Sequence, residues 1–236
     1  MIISVHLPKT AGSSFKASLD QHFGQKLMLD YADFPINIPI LQRNRNVLIS
    51  SLNNAERNFD EIECIHGHFM PMKYLLLNSK QPLTFVIWMR HPVERIISHY
   101  YFWQRYYQPE APPLHKRIVE EKWTLEKFCL SDEMRDLYHQ FLWGFPLHNF
   151  DFIGITEHYE DDFRYFANKY LHKNVASFKE NINENRNENY TLNSSFRKQI
   201  ESFHEIDMEL YHSALKLRFQ RNQPILSKVF SYLPNL

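Results

Sequence analysis

A chain of 236 residues can bury a full hydrophobic core, and its length gives no reason for a second unit, so residues 1–236 are expected to form a single domain. Lys plus Arg and Asp plus Glu each number 27, which leaves no global field to draw the chain to nucleic acid or to an anionic membrane surface. Cys64 and Cys129 are too few for a disulfide scaffold, no apolar run approaches the roughly 18 residues of a membrane helix, and no secretory leader opens the chain, so a reducing cytoplasm is the expected compartment.

In chain order, Ile2 to Leu7 predicts a strand and Ser13 to about His22 a helix, with Phe15 and Leu19 at helical spacing and Pro8 to Gly12 as the loop between them. Leu27 to Leu29 suits a second strand, but Pro35, Pro39 and the Asn/Arg-rich stretch after Gln42 give no clear pattern. Ile62 to Ile65 predicts a short strand running into the turn His66-Gly67-His68, and Leu83 to Met89 a strand buried on both faces. Pro92 opens the clearest helix, whose stripe is Val93, Ile96, Ile97, Tyr100 and Tyr101. Residues 107–117, with three prolines, are expected to form a surface loop, followed by helices near Leu125 to Cys129 and Asp132 to Trp143. A strand from Phe152 to Thr156, a helix from Tyr159 to Leu171, an Asn/Glu-rich loop from Glu180 to Asn189 and two last helices, near Ser195 to Glu205 and Asp207 to Arg221, complete the chain. Strands alternating with helices predict an α/β fold: a parallel sheet covered on both faces, with ligands bound outside the carboxyl ends of the strands.

Four polar features fall at those strand ends. The loop Lys9-Thr10-Ala11-Gly12-Ser13-Ser14 runs into a helix N-terminus, whose backbone N–H groups and partial positive charge suit a phosphate or sulfate. The Walker pattern places its lysine after the second glycine with a magnesium-binding hydroxyl beside it, whereas here Lys9 precedes Gly12, which disfavours a magnesium–ATP site. Taken alone, this stretch is more simply read as an ordinary strand-to-helix turn with a solvated lysine. Arg90 ends the long strand, and Ser98 lies off the apolar stripe about 9 Å beyond Pro92 at 1.5 Å per residue, so the two can grip a second phosphate. A capping arginine paired with Glu94 and an exposed serine are the plain alternative. His66 and His68 offer a general base near neutral pH. With Cys64 they also form C-x-H-x-H, but three ligands on one short segment make a poor zinc site, and two structural histidines remain open as a third reading. The Ile153 to Glu157 strand exit is the fourth feature.

Taken together, V-H-L-P-K-T-A-G-S-S-F, I-H-G-H-F, F-V-I-W-M-R-H-P-V-E-R-I-I-S-H-Y-Y and F-I-G-I-T-E resemble, in that order, the sulfotransferases that use 3′-phosphoadenosine 5′-phosphosulfate (PAPS) and release 3′-phosphoadenosine 5′-phosphate (PAP). The likeness is to the carbohydrate branch holding the heparan sulfate and uronyl 2-O-sulfotransferases, and it runs from Val5 to about Arg221. It implies a P-loop-like three-layer fold with a central parallel sheet. It also implies that Lys9, Thr10, Ala11, Gly12, Ser13 and Ser14 bind the 5′-phosphosulfate, and that Arg90 and Ser98 bind the 3′-phosphate. His68 is implied as catalytic base with His66 assisting, and Lys9 as a second catalytic group, with no metal required. The implied acceptor is a hydroxyl, on a glycan or glycoconjugate. His91 stands where this branch commonly has an acidic residue, and Asn181 to Asn189 replaces a basic segment that helps hold the nucleotide. A bacterial-type cytoplasmic enzyme is the expectation for a chain that starts at its first strand. The alternatives are a P-loop-type nucleotide kinase or NTPase and a non-catalytic nucleotide- or glycan-binding protein. Arg105, Tyr106, Tyr107, His115, Lys116 and Arg117, around the proline-bearing loop, are candidates to grip an anionic sugar.

Overall fold

Five short strands, β1 (Ile2–Val5), β2 (Leu27–Asp30), β3 (Cys64–Gly67), β4 (Thr84–Met89) and β5 (Phe152–Ile155), form one sheet in the order β2-β3-β1-β4-β5. All four pairings are parallel. The computed structural model describes residues 1–31, 33, 38–172 and 192–223. The predicted α/β class and parallel sheet are both present.

Apolar side chains alternate between two faces that are both covered, which is why the strands read as continuous apolar runs. On one face Ile3, Val5, Ile65, Ile87, Met89, Ile153 and Ile155 pack beneath α6 (Leu137–Phe141) and α9 (Glu205–Asn222), through Leu137, Tyr138, Phe141, Tyr211 and Ala214. On the other, Ile2, Cys64, Val86, Trp88 and Phe152 meet Phe15 and Leu19 of α1 (Gly12–Phe23) and Phe163 and Phe166 of α7 (Tyr159–Phe166). A third cluster joins α3 (Pro92–Arg105), α4 (Pro113–Glu120), α5 (Leu125–Cys129) and α8 (Ser194–Phe203) through Ile96, Trp103, Ile118, Phe128 and Ile200.

Three expectations are corrected. Residues 40–56, where the sequence shows no pattern, form helix α2 (Ile40–Glu56); its buried residues are Arg43, Val47, Ser51 and Asn54, a helical stripe made mostly of polar side chains. The expected loop at 107–117 ends early, because Pro113 occupies the first turn of α4, where its missing N–H costs nothing, and Leu114, His115 and Ile118 are buried. The expected turn His66-Gly67-His68 is largely strand: β3 continues through Gly67, where a Cβ would stand 1.7 Å from the Asp30 carbonyl oxygen of the neighbouring strand. The loop expected at 180–189 lies outside the described residues.

Candidate active site

The three central strands, β3, β1 and β4, deliver the main candidates to one rim. Parallel register places Val5 opposite both Gly67 and Ile87, so the chain leaves β1 toward His6 and Lys9 beside the exits toward His68 and Arg90.

The loop after β1 is held in shape by its own backbone. Lys9 and Ala11 both take left-handed conformations with φ of 67°. Alternation of that kind turns successive N–H groups toward one concavity, which suits an anion. Thr10 is buried and its hydroxyl donates to the Leu7 carbonyl at 2.9 Å, so it fastens the loop from inside. Helix α1 then begins without a side-chain cap or an acidic residue in its first turn. An uncapped helix start carries N–H donors with no intrahelical acceptor and a partial positive charge, and these suit an anion. Ser13 is exposed at this start and Ser14 buried.

The Lys9 ammonium lies 3.9 Å from the centroid of the Phe102 ring on α3. Burial, and then the neighbouring Arg90 and Arg105 guanidinium groups, bring its pKa down to about 8. Arg90 reaches back toward the same loop, with Nη1 at 3.5 Å from the Lys9 carbonyl oxygen. The Arg90 backbone is gripped by Tyr138, whose hydroxyl accepts from Arg90 N–H at 3.0 Å and donates to the Arg90 carbonyl at 2.5 Å. His91 faces away from this loop: its Nδ1 caps α3 by accepting from Val93 N–H at 3.3 Å, and its ring meets Tyr211. Ser98 sits half-buried on α3.

The two expected histidines have different surroundings. His66 is fully enclosed, with Nδ1 at 2.8 Å from the Ser4 hydroxyl across the β1–β3 register. Burial holds its pKa at about 3, so it is a neutral packing partner. His68 lies just past the strand end and is partly exposed, and its Nδ1 bonds the His6 carbonyl oxygen. A carbonyl only accepts, so Nδ1 carries the proton and the Nε2 lone pair remains for a ligand. Burial also lowers the His68 pKa, against the His6 hydrogen bond that raises it.

Two residues of this cluster escape notice in the sequence. The His6 ring packs 4.3 Å from His68 and 5.1 Å from His66, and its Nδ1 shares a 3.0 Å hydrogen bond with the Tyr31 hydroxyl at the end of β2. The Tyr31 ring is edge-on to His68 at 4.9 Å. His6 also fills the space where a side chain at position 12 would go: a Cβ on Gly12 would stand 1.8 Å from its Nε2. The strand exit at His6 was a usable signal; the neighbour at Tyr31 was not, because nothing local reveals which strand lies beside β3.

The proposed sugar-gripping group does not assemble. His115 is buried with Nε2 donating to the Trp103 carbonyl at 2.8 Å, Arg117 pairs with Glu133, Lys116 lies 3.8 Å from Glu120, and the Tyr107 hydroxyl donates to Glu120 at 2.6 Å. Arg105 and Tyr106 remain exposed. Among the described residues, the group with metal-ligand spacing is Asp136, His204 and Asp207, not the Cys64 to His68 string. Its members bond one another and nearby backbone: Asp207 accepts from the N–H groups of Tyr138 and His139, and His204 donates to the Cys129 carbonyl.

No family model matches the chain. Heparan sulfate 2-O-sulfotransferase 1 of Cricetulus griseus and of Mus musculus are each 25% identical to it over 148 residues, and that of Homo sapiens 26% over 148 residues. The match covers 61% of this chain and 40% of each relative, so the chain matches two-fifths of their length. The crystal structure of mouse sulfotransferase SULT7A1 complexed with PAP shares 13% identity and a TM-score of 0.38, over 85% of this chain and 62% of that one. That likeness is too loose to build on. The sequence relatives bear out the resemblance carried by the ordered motifs. They also overturn the bacterial-type cytoplasmic expectation, because the relatives are Golgi membrane enzymes. A low cysteine count and a strand near residue 1 carry no information about cellular address. Among the described residues, no helix is long and apolar enough to cross a membrane.

Proposed function

We propose that this chain is a PAPS-dependent sulfotransferase that moves a sulfuryl group onto a hydroxyl of a glycan. The observation that carries it is the meeting, at the ends of β1 and β3, of an uncapped helix start bearing Lys9 with an imidazole whose Nδ1 is engaged and whose Nε2 is free of that bond. Similarity to heparan sulfate 2-O-sulfotransferases over 61% of the chain supports both the donor and the glycan class of acceptor.

In this mechanism the loop Lys9 to Ser14 holds the 5′-phosphosulfate on backbone N–H groups, while Arg90 and Ser98 hold the 3′-phosphate. The acceptor oxygen attacks sulfur in line as His68 Nε2 takes its proton, and the bond from sulfur to the bridging oxygen of PAP breaks. Lys9 neutralises the charge that develops on that oxygen, a preorganised contribution that commonly dominates catalysis. His66 acts from behind by packing and the Ser4 bond. Magnesium has no part in the proposed step: Lys9 precedes Gly12 where a Walker lysine follows its glycine, and the adjoining Thr10 hydroxyl is engaged by the Leu7 carbonyl.

A thermal-shift comparison tests the donor. PAP at about 100 times its Kd should stabilise the fold by roughly 2.7 kcal/mol without magnesium. Stabilisation by magnesium–ATP and not by PAP would point to the kinase alternative. Turnover of labelled PAPS with a panel of glycans then separates an enzyme from a binding protein: label on a glycan supports the proposal, and PAP binding without transfer to any acceptor leaves the binder.

A further inference from the structure

We propose that Tyr138 is a positioning residue for nucleotide recognition, fixing the Arg90 backbone so that its guanidinium meets the 3′-phosphate; this rests on the role of Arg90 given above. Arg90 stands where β4 has ended and α3 has not begun, and Pro92 two residues later has no N–H to anchor the chain. There the Tyr138 hydroxyl takes both the N–H and the carbonyl of the same residue, at 3.0 and 2.5 Å. A two-point grip on one residue fixes its orientation as well as its position.

Tyr138 is itself held from behind. It is fully buried, and its own N–H and that of His139 donate to the two carboxylate oxygens of Asp207 at 3.0 Å each. Asp207 N–H donates to Asp136 at 3.2 Å, Asp136 N–H to His204 Nδ1 at 3.1 Å, and His204 Nε2 to the Cys129 carbonyl at 2.9 Å. The guanidinium of Arg95, fully buried and without a hydrogen-bond partner, lies 5.6 Å from the Tyr138 ring centroid. The ring thus has a cationic neighbour and the hydroxyl a single task. A buried network of this kind holds one geometry. It ties α5, α6 and α9 to the strand exit that carries Arg90.

Tyr138→Phe keeps the ring and its contact with Arg95 but loses both bonds to Arg90. PAP and AMP differ only in the 3′-phosphate, so calorimetric titration of both reads that contact separately from general binding. The unaltered chain should prefer PAP, and Tyr138→Phe should cut the PAP-to-AMP affinity ratio about tenfold while AMP affinity holds. Equal weakening of both ligands, or an unchanged ratio, overturns the proposal. Arg90→Ala locates the failure: if it also spares the ratio, the assignment of Arg90 was wrong; if it abolishes the ratio while Tyr138→Phe does not, the positioning role was wrong. Should Tyr138→Phe not fold, amide exchange at Arg90 in the unaltered chain decides. Protection that rises with PAP and not with AMP supports the role, and an unprotected amide overturns it.

Discussion

His68 is the proposed base because its Nδ1 is engaged by the His6 carbonyl, which fixes the tautomer and leaves the Nε2 lone pair for a ligand. Replacing His68 with alanine should therefore cut turnover by about 10²- to 10⁴-fold while leaving PAP affinity unchanged in calorimetry. Full turnover in that variant would remove His68 from the mechanism. The pH profile carries a second prediction. Burial holds His68 below the ordinary histidine value of 6.5, so the acid limb of kcat/KM should fall below that pH. Lys9, brought down to about 8 by burial and its two arginine neighbours, should lose its charge in the free enzyme as pH rises through that value, giving an alkaline limb there. An acid limb above 6.5 or a flat alkaline side would contradict these assignments. The place of His68 just past the end of β3 was legible in the sequence through its motif. The strand exit marked His6, but not its contribution, a backbone carbonyl and a ring position that follow from β1 lying beside β3.

At the scale of elements, the start of α1 carries strain. Ala11 caps the helix at φ 67° and ψ 18°, a region that costs an alanine about 1–2 kcal/mol. Glycine removes that strain but frees the unfolded chain, so Ala11→Gly should raise stability by about 0.5–1 kcal/mol net, read as a higher Tm. A lower Tm would mean the loop relaxes around alanine at no cost. The elements themselves were legible wherever apolar residues set the period: α1, α3, α7 and the strands all appear near their predicted bounds. Helix α2 was hidden because three of its four buried residues are polar, and Arg43 donates through Nη1 to Gln140 at 2.8 Å, a partner far away in sequence. Helix α4 was hidden by its prolines, which signal a loop from sequence and a first turn in space.

For the whole molecule, buried histidines set the response to acid. Burial lowers the pKa of His6, His66, His68, His91, His99 and His204 in the fold, to about 3 for His66 and about 4 for His204. Below pH 6.5 the unfolded chain gains protons that the native state refuses, so stability falls as pH falls. Asp207, pushed up to about 7 by burial, and Asp33, raised by the same cause, work in the opposite direction, holding protons in the native state that the unfolded state releases. Among the described residues, six groups against two give the sign: Tm should drop between pH 7 and pH 5, and a Tm that rises over that interval would refute it. The sheet order has a consequence of another kind. β1 is the first strand of the chain and the middle strand of the sheet, yet its partners are the residues around Ile65 and Phe85. Ile2, Ile3 and Val5 therefore stay with both edges unpaired until strands distant in sequence reach them. Refolding should be slow for a domain of this size, and its early stage open to association through those edges, so the strand that later leads to Lys9 is at first an adhesive one.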